Sequence, residues 1–168
     1  MLFLDTNLFY DSDSLTAAST TSSTKTLYDV SFGFGVDKKD HFQVGWNITG
    51  HSLSDTSSGT VTSYASTQMG PIFIFNFGKD RNWRLSAAYN LQTSGTYTAG
   101  SASQEKWKGT GIGSSFGYQY SVTSSFYFGL RLNYSMTTYT ESLIGLTYST
   151  ISYKRTLMYP SIALTFEL

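Results

Sequence analysis

Between Phe126 and Thr138 every second residue is apolar: Phe126, Phe128, Leu130, Leu132, Tyr134 and Met136. The residues between them, Tyr127, Gly129, Arg131, Asn133 and Ser135, are mostly small, polar or charged. A period of two puts the two sets on opposite faces of a β-strand, one greasy and one wet. Seven further stretches repeat the pattern: about Leu2–Tyr10, Thr26–Val36, Phe42–Thr49, Thr67–Phe77, Trp83–Gln92, Gly109–Tyr118 and Met158–Leu168. Their connections alternate in length, short at 37–40, 78–82 and 121–125, long near 11–25, 50–66, 93–106 and 139–154. The spacing predicts an all-β chain, an eight-stranded antiparallel up-and-down transmembrane β-barrel, with residues 1–168 as a single domain and both termini on the short-turn side.

Composition decides which face meets what. Charged residues make up 13% of the chain and aromatics 17%, against about 25% charged in an ordinary soluble domain. A soluble barrel would turn the greasy face inward and leave Gly, Ser, Asn and Gln outside with few charges, a poor solvent surface. Aromatic residues near strand ends, such as Tyr10, Tyr28, Phe42, Trp83, Phe126 and Tyr134, fit girdles at the two membrane interfaces. No run of about 18 apolar residues is present, so a helical span is excluded, and the mean hydropathy of −0.17 suits strands that are apolar on one side only. The net charge of zero gives no case for nucleic acid, and a chain without cysteine has no disulfide or thiolate chemistry. The long segments, as in the run Ser19–Thr24, are rich in Ser, Thr and Gly. They read as mobile extracellular loops or as strand extensions beyond the membrane. Strand character starts at Leu2 with no signal core before it, the expectation for a mature chain whose signal peptide has been removed.

Taken along its whole length the chain resembles the small eight-stranded outer-membrane proteins, the class of the OmpA transmembrane domain, OmpX and OmpW. The C-terminal stretch carries the sharpest likeness: Pro160, Ile162, Leu164, Phe166 and Leu168 are similar to the terminal strand recognised by the outer-membrane assembly machinery, although the class usually ends in an aromatic residue. The resemblance implies a surface protein of a Gram-negative outer membrane, in contact with outer-membrane lipids and lipopolysaccharide. Deacylase-like members of the class carry His-x-Ser on one strand. Here Leu53 stands two residues after His51, so that pattern is absent.

Inward parity marks Asp5, Asp29, Arg84, Arg131 and Glu167 as a lumen charge network, because ionised groups in a narrow interior must be paired. Arg131, Glu167 and Asp5 are expected to cluster near the short-turn end, as a structural plug in preference to an ion gate, since eight strands leave an interior that side chains fill. Lys106, Lys108 and Lys154 have outward parity near the outer rim and are candidate contacts for lipopolysaccharide phosphates. Ile162, Leu164, Phe166 and Leu168 are the candidate assembly signal. His51, with Ser52, Ser54 and Asp55 nearby, has the residue types for an activated hydroxyl, and His41 stands at a short turn. In so Ser/Thr-rich a chain such neighbours arise by chance, and the expectation is no enzyme, no metal site and no cofactor. Pro71 and Pro160 each remove a ladder donor and predict a bulge or broken pairing. With Ile72 and Ile74 lining the inside next to Pro71, a lateral opening for a small apolar molecule is the alternative function to a structural or surface-interaction protein.

Overall fold

Alternation dictates what the chain builds. The computed structural model describes residues 1–16, 20–37 and 41–168. The strands are β1 (Leu2–Thr16), β2 (Thr20–Gly35), β3 (Phe42–Ser57), β4 (Thr60–Phe77), β5 (Trp83–Ala99), β6 (Glu105–Thr123), β7 (Phe126–Ile144) and β8 (Thr147–Glu167). They pair in sequence order, all antiparallel, and β8 returns to β1 to close an eight-stranded up-and-down barrel. The greasy face is outside: Leu4, Leu8, Phe32, Phe73, Leu85, Leu130 and Ile162 are all exposed. The wet face is inside, with Asp5, Ser31, Gln43, Asn76, Arg84 and Arg131 buried. An apolar belt around a polar interior is the transmembrane arrangement. Stacked rings at the short-turn end, Phe42 on Phe75 (4.8 Å), Trp83 on Phe116 (5.3 Å) and Phe126 on Phe166 (4.8 Å), form one interfacial girdle.

The long connections at 50–66 and 139–154 are strand except for a two-residue turn in each, whereas β5 and β6 are joined by a turn at 100–104. Strands of 15 to 21 residues far exceed the span of about 9–11 that a bilayer needs. Beyond the belt they continue as paired hairpins. β3 and β4 are joined by Ser58–Gly59 alone, both at positive φ (50° and 80°), as a two-residue hairpin turn requires, and β7 and β8 by Gly145–Leu146. Of the two readings of 50–66 and 139–154, mobile loop or strand extension, the structure has the strand extension. Clear of lipid, neither face needs to be greasy, so the alternation that marks a strand fades there. The extension has its own interior packing: Leu53, Tyr64 and Tyr139 are buried, with Tyr97, Trp107, Ile151 and Leu157 against them. The expected turn at Asp37–Asp40 lies, from residue 38 on, outside the described residues, as does the start of the run from Ser19. β6 runs on to Thr123, which shortens the turn expected at 121–125 to Ser124–Ser125.

Both prolines stand where a ladder fails. Asn76 N–H donates to His41 C=O (2.7 Å), so even-numbered residues of this part of β4 face β3 and Pro71 faces β5. There the pairing skips from Met69↔Gln92 to Ile72↔Ala88. The bulge carries into the β5–β6 ladder and reverses parity, so Gln92, which alternation from Arg84, Ser86 and Asn90 places inside, is exposed and Thr93 is buried instead. At the closing seam Leu2 and Leu168 exchange backbone bonds (2.8 and 2.9 Å). Every second residue of β8 back from Leu168 therefore faces β1, ending at Pro160, which would stand opposite Tyr10. Having no N–H, Pro160 donates nothing, and the β1–β8 ladder stops at Leu8↔Ile162. Above that pair β1 and β8 are unpaired, a break in the ring of ladders that forms a notch, beside which Phe9 lies against Tyr159 (ring centroids 5.9 Å).

Candidate functional site: the lumen charge network

Period-two alternation points Asp5, Arg84 and Arg131 from three strands at one level of the lumen. The Arg131 guanidinium takes Asp5 with both terminal nitrogens, Nη1 on Oδ2 and Nη2 on Oδ1 (2.8 Å for the latter), and Nη2 also donates to Thr165 Oγ1 at 3.0 Å. Thr165 in turn donates to Asp5. Arg84, with no exposed surface, holds Nη2 3.8 Å from Asp5 Oδ2, donates to Asn76 Oδ1 at 3.0 Å and lies over the Phe3 ring (5.6 Å). The bidentate Arg131–Asp5 pair, with the Thr165 hydroxyl on the same carboxylate, is a rigid unit, while Arg84 stands at ion-pair range with its buried Nε and Nη2 making no hydrogen bond among the described residues. Together they span the lumen from β1 to β5 and β7.

Glu167, expected beside Arg131, is held by other groups: Arg81 Nη2 at 2.8 Å and Gln43 Nε2 at 3.1 Å. Arg81 also reaches Tyr127 Oη at 2.6 Å. It belongs to the 310 turn Lys79–Arg81, where strand parity gives no guidance, and so escapes a reading based on alternation. Bent back from the turn, it caps the barrel end beneath the Asp5 layer. Asp29 stands apart from both layers. Its carboxylate accepts from Thr49 Oγ1 (2.9 Å) and Ser31 Oγ (3.3 Å), and it makes no ion pair among the described residues.

Above these layers His51 is buried, with Nδ1 3.4 Å from Gln68 Nε2 and 3.5 Å from Ser66 Oγ. The sequence neighbours do not join it. Ser52 lies on the exposed face and Asp55 is exposed further along the strand. Ser66 is the cross-strand partner of His51. Only the β3–β4 register identifies it. Gln68 continues to Thr137 Oγ1 (2.8 Å), and Tyr64 and Tyr139 share a hydroxyl contact at 2.7 Å. His41 is at the opposite end, where its carbonyl accepts from Asn76.

On the outer wall Lys106, Lys108 and Lys154 are exposed. Lys106 and Lys108 pair across β7 with Leu143 and Glu141, and Lys154 with Thr138 from the other side. Glu141, opposite Lys108, brings a carboxylate into the basic patch. Ile162, Leu164, Phe166 and Leu168 all face outward.

No protein-family model matches the chain, and no curated protein matches it in sequence. Among solved structures the fold is similar to the crystal structure of Neisserial surface protein A (NspA), with a TM-score of 0.59 and 12% identity over 99% of this chain and 97% of that one.

Proposed function

We propose that this barrel resides in the outer membrane of a Gram-negative bacterium as a structural or surface-interaction protein, with a side-chain-filled lumen and its strand extensions presented at the cell surface. The observation that carries this reading is the Arg84–Asp5–Arg131–Thr165 layer across the lumen, with the Arg81–Glu167 layer beneath it. Likeness in fold to a surface protein supports it. His51, with no hydrogen bond to a carboxylate among the described residues, supports a non-enzymatic role over a lipid-modifying one. Lys106, Lys108 and Lys154 fit lipopolysaccharide phosphates at the rim, and the C-terminal Ile162, Leu164, Phe166 and Leu168 fit recognition by the assembly machinery. Planar-bilayer recording tests the plug. Wild type and Arg131→Ala are both expected to stay silent, the variant being only less stable, because Arg84 and the lower layer still close the path. A sustained open-channel current from Arg131→Ala overturns the reading.

A second reading, a narrow conduit releasing a small apolar molecule sideways into the membrane, is favoured by the notch above Leu8↔Ile162. Pro160→Val restores the missing donor opposite Tyr10. It is expected to extend the β1–β8 ladder, to add about 1 kcal/mol of stability per hydrogen bond formed, and to protect amides beside the notch from exchange. If the notch is a passage, the same variant stops uptake of a small apolar dye by cells expressing the protein. Uptake that survives in a variant with demonstrated amide protection removes this reading.

A further inference from the structure

Between the Asp5 layer and the His51 layer the lumen keeps a cavity of about 20 Å³, room for one water-sized species. It exists because β6 contributes Gly113 there, where an added Cβ would meet only Ala88 Cβ at 3.8 Å and a carbonyl at 4.0 Å. Its lining is rich in acceptors. Asp29 makes no ion pair among the described residues, its carboxylate accepting from Thr49 Oγ1 at 2.9 Å. Asn7, the cross-strand partner of Asp29 and 5% exposed, has a buried Oδ1 without a hydrogen-bond partner. Asn90, 2% exposed, donates its Nδ2 to Gln68 Oε1 at 2.8 Å, which fixes the amide orientation and leaves its Oδ1 also buried and unpartnered. Several donors that line the cavity are already committed: Ser31 to Asn47, Asn47 to Thr49, and one hydroxyl of the Ser86–Ser115 pair to the other.

From this geometry we infer that the mid-lumen cavity is a binding site for one dehydrated alkali cation, liganded by Asp29 and the amide oxygens of Asn7 and Asn90. Carboxylate, amide and hydroxyl oxygens are the ligands of hard cations. Charge selects the valence: one uncommitted carboxylate matches one positive charge, and Arg131 and Arg84 just below oppose a second. Mg²⁺ retains several waters, for which so small a space has no room, and Ca²⁺ is disfavoured by its second charge.

The test is the thermal unfolding midpoint of the purified barrel in detergent, titrated with NaCl or KCl against choline chloride at equal ionic strength. An alkali ion at tenfold excess over its Kd is expected to raise the midpoint of the wild type by roughly 3–6 °C, saturably, and choline is not. Asp29→Asn removes the charge with little change of shape, and Gly113→Val fills the cavity from the β6 side while leaving the ligand residues themselves unchanged. Both are expected to lose the cation-specific rise. A wild-type midpoint that is the same in all three salts overturns the inference and leaves the cavity to water. A rise that persists in Gly113→Val also overturns it, because the ion then acts elsewhere.

Discussion

Asp5→Ala is expected to destabilise the barrel by about 3–5 kcal/mol, the usual consequence of stripping one partner from a buried ion pair. Asp5 is 2% exposed and receives Arg131 through two nitrogens, Thr165 through its hydroxyl and Arg84 at ion-pair range. Its removal leaves two buried guanidinium groups with no carboxylate at that level. Urea unfolding in lipid vesicles, followed by tryptophan fluorescence and by the mobility difference between folded and unfolded barrel on gels, measures the loss. Replacing all three members, as in Asp5→Leu with Arg84→Met and Arg131→Met, should recover most of it, because the cost arises from the stranded charges and not from a missing attraction. A triple variant as unstable as Asp5→Ala would show that the layer is needed for its shape alone.

Gly33→Ala is the second large effect, of about 3 kcal/mol, the upper end of what overpacking costs. Gly33 and Gly45 are cross-strand partners on β2 and β3. A Cβ on Gly33 would collide with the Val44 carbonyl oxygen and Gly45 Cα, backbone atoms that cannot swing away. Gly113→Ala, with Ala88 Cβ at 3.8 Å and a carbonyl at 4.0 Å nearest, is the matched control and, in buffer with choline as the only added salt cation, is expected to unfold with the wild type. The same urea titration separates them. Equal midpoints for the two alanine variants would mean that the β2–β3 sheet relaxes around the added methyl.

What the sequence made legible was what lipid imposes. Inside the belt one face must be greasy and the other wet, so the centres of the strands, their facing and their number were readable from residues such as those of Phe126–Thr138. Where lipid ends, that contrast ends, and the strand character of 50–66 and 139–154 was hidden in Ser and Thr. Parity also fails at any bulge, which is why Gln92 was placed on the wrong face. Asp5 and Arg131 could be brought together because both follow the alternation and their strands flank β8. Arg81 could not, because a turn residue has no parity. The partners of His51 depend on register, and one residue of slip would have replaced Ser66 by a neighbour facing the opposite way.

The seam from Leu2↔Leu168 to Leu8↔Ile162 has a consequence for how the barrel comes into being. Every other ladder joins strands adjacent in sequence and can form as a local hairpin at small entropic expense. The β1–β8 ladder joins the two ends of the chain, spans the largest loop available and, cut short by Pro160, offers the fewest bonds in return. Closure is therefore the last event of folding and the first to reverse, and the lifetime of the closed ring is set there. Substitutions along this seam should act mainly on the rate of unfolding, while those in the hairpins of β3–β4 and β7–β8 should act on the rate at which the sheet first forms.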